Sequence, residues 1–339
     1  MLFAGLDVSS ARIALCVMNE AGELVCQASI ESEPGVIAEE LRPWRDQLSL
    51  VGLEAGPTSA WLARELRALD LPVTVIDAAH ASAALRTGFR NKTDKNDARG
   101  IADLMRVRKF RPVHVKSPEA QRDRALLSVR EHLRRQGLDL RNAVWSILQA
   151  EGLKPPKLTT SRFQQLLVAA LEDPDLAPVL TPLVRLIDKT EEEVAELDRQ
   201  IAKKAKARAT CRRLKTIPGV GPLTALTFAT GIDDPARFSR SRDVGVHFGL
   251  TPRRYQSGDM DWSGSISRAG DAAVRRALYQ AANAMIHHSR RWCALKSWAV
   301  RLAARRGLKK AKVALARKLA VVMHRMWVDG TDYRVSTAN

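Results

Sequence analysis

Two carboxylates three residues apart, Asp94 and Asp97, stand inside the basic run RNKTDKNDARG at residues 90–100, where a helix is expected to begin. Taken alone, the pair reads as helix capping, with Asp94 as N-cap and Asp97 in the first turn, where negative charge meets the positive helix end. Two further acids change that reading. Asp7 lies near the end of one apolar run, in GLDVSS, and Glu54 near the end of another, in GLEAG. An acid embedded in an apolar strand is costly to bury unless it is paired or bound to a metal. Residues i and i+3 share a helical face, so one helix can carry Asp94 and Asp97 to the same place. Four converging carboxylates repel unless a cation stands between them, and hard divalent ions with a preference for oxygen, Mg²⁺ or Mn²⁺, answer that need. Two such ions about 3.5 to 4 Å apart clamp the attacking and leaving oxygens of a phosphodiester exchange. On this reading Asp7, Glu54, Asp94 and Asp97 are metal ligands, and Lys92, Lys95 and Arg99 face phosphate.

The elements that must position these acids follow from hydrophobic patterning. LFAGLDV (2–8), IALCVMN (13–19) and ELVCQASI (23–30) are short apolar runs joined by SSAR and EAG, and read as three consecutive antiparallel strands. A helical VIAEELRPWRDQL follows, then a strand LVGLEAG (50–56), a helix SAWLARELRALDL, a strand PVTVID (72–77), and helices HASAALRTGF and DARGIADLMRVRKF. That order is the order of a ribonuclease-H-like α/β fold, in which the first and fourth strands are neighbours. Asp7 and Glu54 would then lie side by side.

Beyond residue 117 strand signals give way to helix. Leu183, Ile187, Thr190, Val194, Leu197 and Ile201 step by 4, 3, 4, 3 and 4, a heptad seam with charged neighbours. An antiparallel pairing with residues 119–150 competes here with a contact between two copies, and the second is the expectation. The Pro-containing pieces GLKPPKLTTS and EDPDLAPVLTP read as a connector or irregular insert. In LKTIPGVGPLTALTFATGI (214–232), Gly219 and Gly221 allow a tight turn and let backbone N–H groups approach phosphate, the logic of a helix-hairpin-helix element. FGLTPRRYQSGDMDWSGSISRAGD (248–271) reads as a polar loop, and Arg- and Lys-rich helices run from 272 to about 328. Trp262, Trp292, Trp298 and Trp327 are candidates either for base stacking or for the core.

The charge is unevenly placed. Of a net +18 over 339 residues, residues 1–117 contribute none, with 15 basic against 15 acidic side chains, whereas 209–339 carry 24 basic and 8 acidic. Such segregation marks a nucleic-acid surface, because neutralising phosphates releases condensed counterions. The basic residues do not flank one amphipathic anchor, no apolar run reaches the roughly 18 to 20 residues of a membrane span, and MLFAGLDVSS lacks a basic signal region; the expected location is the cytoplasm. Cys16, Cys26, Cys211 and Cys293 form no CxxC pair and read as reduced thiols.

The ordered set GLDVSS, GLEAG, RNKTDKNDA, IPGVGPLTA, GLTPRRYQSG, SISRAGD and RRALY resembles the DEDD transposases of the insertion sequence 110 family, bridge-RNA-guided recombinases of bacterial mobile elements. The resemblance covers roughly residues 3 to 335. It implies a RuvC-like domain over 1–117 whose acids are Asp7, Glu54, Asp94 and Asp97, a helical coiled-coil linker over 118–208, and a mostly helical transposase domain over 209–339. It places a serine nucleophile at Ser257; the residues themselves do not single it out from Ser263, Ser265 and Ser267. A serine hydroxyl needs activation to attack, and Arg253, Arg254 and Arg268 would hold phosphate nearby. The implied reaction is strand exchange through a covalent phosphoserine with Mg²⁺ bound to the acids. The implied partners are donor and target DNA, a guide (bridge) RNA, and a second copy, with a tetramer on paired DNA at the nucleoid. Asp259 and Asp261 depart from the family's small or basic residues; two acids there would weaken phosphate binding unless they bind metal or face away. The alternatives are a RuvC-type metal-dependent junction nuclease, which leaves free ends, and a non-catalytic binding protein, which needs no Mg²⁺.

Overall fold

A computed structural model of the chain describes residues 1–79, 81–82, 93–153, 160–258 and 260–334. The chain divides into two compact units, residues 1–116 and 117–339. The helices expected to form a separate linker over 118–208 thus share a unit with everything after them.

The first unit is built on a five-stranded sheet: β1 (Leu2–Val8), β2 (Arg12–Asn19), β3 (Leu24–Glu31), β4 (Leu48–Glu54) and β5 (Val73–Ile76), in the spatial order β3-β2-β1-β4-β5. β1, β2 and β3 pair antiparallel, as short turns require. β1–β4 and β4–β5 are parallel, so each needs a crossover, supplied by α1 (Pro34–Leu41) with a 3₁₀ turn and by α2 (Ser59–Ala68). The fourth strand starts and ends two residues earlier than the expected LVGLEAG, which leaves Glu54 as its last residue. HASAALRTGF lies almost wholly outside the described residues.

Both faces of the sheet are covered, which is why β1 and β2 are apolar on both sides. Leu2, Ala4, Leu6, Leu15, Val51 and Leu53 pack with Ile37, Leu41, Leu62 and Leu66 on one face. On the other, Phe3, Ala14, Cys16 and Met18 meet α3 (Asp94–Arg106) through Ala98, Ile101, Ala102 and Met105. α3 can lie this close only because Gly5 and Gly52, register partners on β1 and β4, carry no side chain. A Cβ on Gly5 would stand 2.1 Å from Ala98 O and 2.4 Å from Ala102 N, and one on Gly52 within 2.9 Å of Met105 and Ile101 atoms.

In the second unit, α4 (Pro118–Ala150) and α6 (Ala177–Ala207) pack side by side. Gly137 faces Thr190, Arg130 pairs with Asp198 at 2.9 Å, and Asp123 pairs with Lys204 at 2.8 Å and Arg208 at 2.6 Å. The contact numbers rise on one helix as they fall on the other, so the pair is antiparallel. The heptad seam is therefore covered within the chain: Ile187 and Ile201 are buried and its other four members half-buried. This corrects the expectation that the seam meets a second copy. Between the two lies α5 (Thr160–Leu171), where a connector was expected; Phe163, Leu167 and Ala170 bury against Val144, Leu148 and Leu180.

Asp123 is 1% exposed, and its neighbours are two cations. Removing one partner of a buried ion pair leaves uncompensated charge. Asp123→Ala should lower unfolding stability by about 3 kcal/mol, the low end for such pairs because Lys204 is half exposed. A denaturant midpoint equal to that of the unchanged chain would refute this role.

The rest of the unit comprises α7 (Ala209–Leu214), α8 (Pro222–Ile232), α9 (Asp243–His247), the strands β6 (Pro252–Ser257) and β7 (Met260–Ile266), and three long helices, α10 (Ala272–His287), α11 (Ala294–Arg306) and α12 (Leu308–Asp329). Phe228, Phe248, Leu278, Leu315 and Leu319 are among the core side chains. No helix among the described residues is long and apolar enough to cross a membrane.

Candidate active site

Asp7 and Glu54 occupy the same face at the same end of the sheet. Leu6 pairs with Leu53, so the next residue along each parallel strand is Asp7 and Glu54. Side chains alternate along a strand: Leu6 and Leu53 enter one core, while Gly5, Asp7, Gly52 and Glu54 face α3. Both acids are half-buried.

α3 climbs the sheet toward them. Its last residue, Arg106, bonds Glu20 O beside the β2–β3 turn at 3.3 Å, level with the start of β1, while Lys95 O accepts from Gln27 Nε2 at 3.2 Å, level with Gly5. Asp97 lies one turn before Ile101, the residue that reaches Gly52, and so is carried toward the end that holds Asp7 and Glu54. Asp94 is exposed and Asp97 half-buried. The cap is Thr93, whose hydroxyl accepts from Asn96 N at 3.2 Å; Asp94 is the first helical residue, which corrects the capping reading. No hydrogen bond or ion pair engages the carboxylate of Asp94 or Asp97 among the described residues. As donors, carboxylate oxygens on adjacent strands fit a hard divalent cation. Among the described residues, however, no group of three or more His, Cys, Asp or Glu side chains is arranged to hold a metal ion. Lys95 and Arg99 are exposed on the same helix; Lys92 lies outside the described residues.

Ser257 belongs to the second unit and ends β6 at the tip of a hairpin, where a loop was expected. Ser257 pairs with Met260, and Gly258 takes a φ of +54° to open the turn. Two cross-strand contacts make this segment a hairpin. Tyr255 stacks on Trp262, centroids 4.3 Å apart and planes at 17°, and Arg254 grips Asp261 through two bonds of 2.8 and 2.5 Å. Asp261 is thereby held below the usual carboxylate range by its hydrogen bond to Arg254. It is neutralised on the strand face opposite Ser257, and the repulsion expected from it does not arise; Asp259 lies outside the described residues. Arg254 is correspondingly engaged, while Arg253 donates to Ser267 O at 3.2 Å. Ser257 is exposed, and no hydrogen bond engages its hydroxyl among the described residues. Ser263 faces the opposite side of the hairpin, and Ser267 is tied at its base by Thr251 O and Arg253.

The base of the hairpin is pinned by glycines at close backbone approaches. Gly249 (φ +63°) leaves 2.3 Å between a notional Cβ and Ala269 N, and Gly270 (φ +65°) leaves 2.1 Å to His247 O. Arg275 donates to Phe248 O, Ala269 O and Gly270 O. Asp271 caps α10 through Ala273 N and Val274 N and pairs with Arg124; burial raises its pKa, but Arg124 and these amides hold it below the usual range. Asp271 and Arg275 thus position the hairpin, a role that only their place beside two tight glycines reveals. Arg268, exposed and at φ +58°, flanks the base.

Between α7 and α8 the turn that holds Gly219 and Gly221 divides their roles. A Cβ on Gly219 (φ +85°) would stand 2.7 Å from both Ala281 O and Met285 N, so its close approach is to the backbone of α10; Gly221 faces open space. The four thiols are unpaired, and burial pushes Cys16 and Cys211 up to about 11. From residue 272 to 328 the chain has no acid and 14 basic residues. Arg301, Arg305, Arg306, Lys309 and Lys310 cluster about the α11–α12 turn at Gly307, all exposed. By contrast, Arg134, Arg135 and Arg276 are all spent on Glu131, whose carboxyl the Arg134 hydrogen bond above all holds at about 2. Trp292 is exposed, and Trp298 and Trp327 pack partly against the core.

Comparison with known proteins agrees along the chain. Residues 211–297 match a family described as "Transposase IS116/IS110/IS902 family", and residues 4–151 match a DEDD family of IS110 type described as "Transposase". The chain is 29% identical over 337 residues to the transposase for insertion sequence element IS1111A of Coxiella burnetii, covering 97% of this chain and 90% of that protein. A probable family 20 transposase of Pseudomonas aeruginosa is 28% identical, over 97% and 98% of the two chains. A putative transposase of Sinorhizobium fredii is 28% identical, over 97% and 85%.

Proposed function

Because this chain belongs to the IS110 family of transposases, enzymes that cut and join DNA, we propose that it exchanges DNA strands through a covalent bond to Ser257, guided by a bridge RNA. The observation that carries this reading is the placement of Ser257: an unengaged hydroxyl at the tip of an exposed hairpin, on a base locked by Gly249, Gly270, Asp271 and Arg275. The serine Oγ–P bond forms as a P–O bond of the DNA breaks, and the serine proton is available to the departing oxygen. One phosphate ester replaces another, so the strand can be rejoined without ATP.

The sheet order β3-β2-β1-β4-β5, with the parallel β1–β4 pair carrying Asp7 and Glu54, supports a RuvC-like first domain. In this reading Asp7, Glu54, Asp94 and Asp97 would hold Mg²⁺ or Mn²⁺. The ion would supply charge neutralisation at the exchanging phosphate. Lys92, Lys95 and Arg99 bind the backbone beside the acids; Arg253, Arg268 and the Gly221 turn do so in the second unit. Arg254 serves the hairpin first, through Asp261. The protein acts as a homodimer, tetrameric on paired DNA, and base pairing with the RNA supplies sequence choice.

The test combines the protein, the non-coding RNA flanking its element, matching donor and target duplexes, and Mg²⁺. A denaturing gel should show DNA attached to protein only when RNA is present. Cleaved DNA with free ends alone would make the protein a metal-dependent nuclease.

The α11–α12 turn is read as a phosphate-backbone surface, since its cations are exposed and no acid lies near them in sequence. Replacing Arg305, Arg306, Lys309 and Lys310 together by Ala should weaken duplex binding. The slope of log K against log salt should flatten by about 2 to 4 units, each lost duplex phosphate contact contributing roughly 0.9. Fluorescence anisotropy across a salt series reads this; an unchanged slope assigns the backbone contacts elsewhere.

A further inference from the structure

The geometry points to a nucleobase-stacking site beside Ser257, formed by Tyr255, Trp262 and Met260 on one face of the hairpin. Cross-strand partners share a face, and alternate pairs repeat it. Tyr255 pairs with Trp262 and Ser257 with Met260, so the two rings, the thioether and the serine hydroxyl project together. Arg254 and Asp261 close on each other across the opposite face.

The rings pass over Gly264 on this face: a Cβ there would stand 3.4 Å from Trp262 Cζ3 and 3.8 Å from Tyr255 Cε2, ordinary contact distances. Their outer side is open. Trp262 is 57% exposed, Tyr255 46% and Met260 68%. A hairpin exposed on both faces is marginally stable on its own, and an apolar cluster kept in water at its tip calls for an occupant.

The chemistry commits that occupant to a base of a nucleic-acid strand. Three apolar side chains are far too few for a protein interface, which needs about 20 to 30 residues a side. One base, by contrast, needs only a ring face, and the Tyr–Trp stack already has the spacing that a third ring would continue. Arg253 and Arg268 flank the same hairpin, and Asp261 is already neutralised, so a backbone phosphate meets net positive charge. Met260 at the tip is shaped to enter a base step and part it. The pair thus holds an unstacked base next to the phosphate offered to Ser257. This assignment rests on the reading of Ser257 as nucleophile for its purpose, although the base site itself does not need it.

The test uses the full chain and a short single-stranded oligonucleotide carrying 5-iodo-deoxyuridine, which crosslinks under light to aromatic rings on which it stacks. It is run on the unchanged chain and on Ser257→Ala, with mass spectrometry to locate the adduct. Crosslinks should fall on Tyr255 or Trp262 in both. Affinity should drop about 5- to 100-fold in Tyr255→Ile with Trp262→Ile, which keeps strand-forming side chains without π-faces, and return in Tyr255→Phe with Trp262→Phe. Crosslinks that fall elsewhere, or a Phe pair no better than the Ile pair, would overturn the site. A covalent adduct that forms on Ser257→Ala without light would instead sink the serine reading and leave the base site standing.

Discussion

Ser257→Ala should abolish the covalent protein–DNA adduct, a loss of at least about 10⁴-fold, while leaving DNA and RNA affinity within a factor of about two. The magnitude follows from removing the attacking atom itself rather than a group that assists it. Unchanged affinity follows from the surroundings: Ser257 is exposed, its hydroxyl makes no hydrogen bond among the described residues, and it contributes nothing to the core. Asp7→Asn should behave differently. It preserves shape but removes a hard anionic donor, so the adduct should weaken strongly and respond to raised Mn²⁺ concentration, while Ser257→Ala responds to no metal. Adduct yield on a denaturing gel, beside anisotropy for binding, separates the two. If Asp7→Asn falls and Ser257→Ala keeps full cleavage with free ends, the acids act on water and the serine is a turn residue.

Gly5→Ala should damage both stability and activity through one added methyl group. That Cβ would fall 2.1 Å from Ala98 O and 2.4 Å from Ala102 N, both backbone atoms of α3. Neither can rotate away, so the helix must lift from the sheet, at a cost of about 3 kcal/mol or more. The same displacement carries Asp94 and Asp97 away from Asp7 and Glu54. A shift of roughly 1 Å in positioned groups costs about 100-fold in rate. Gly56→Ala, where nothing among the described residues lies within 4 Å, is the control and should be near neutral. Thermal unfolding and adduct yield check both effects; a stable, fully active Gly5→Ala chain would mean that α3 need not lie so close for function.

Much of the first unit was legible in the sequence. GLDVSS and GLEAG place an acid at the end of an apolar run, and three apolar runs joined by two short turns are hard to read as anything but strands. Even the neighbouring of β1 and β4 followed from element order. The hairpin at 252–266 was misread as a loop because Arg, Gln, Ser, Gly and Asp dominate it. Its strand character comes from the Tyr255–Trp262 and Arg254–Asp261 contacts, each between residues seven apart, a separation that neither the period of a strand nor that of a helix reveals. α5 was missed for a related reason: flanking prolines suggested a connector, while its apolar stripe becomes meaningful only beside Val144, Leu148 and Leu180.

The seam of α6 shows the same limit from the other side. Its spacing of 4 and 3 was plain, but spacing describes one helix and is silent about its partner. The antiparallel contact with α4 was decided by Gly137 against Thr190 and by Asp123 buried between Lys204 and Arg208. By itself, the sequence determined which residue types stand where: acids at strand ends, a basic final third, glycines at 5, 52, 249 and 270, and a serine in a polar stretch. Tertiary structure alone decided which of them meet. It closed Arg254 on Asp261, turned Gly219 toward α10 and left Ser257 in the open. The reason is physical: a side chain's composition and period are local properties, whereas its partners depend on backbones distant in sequence approaching within a few ångströms.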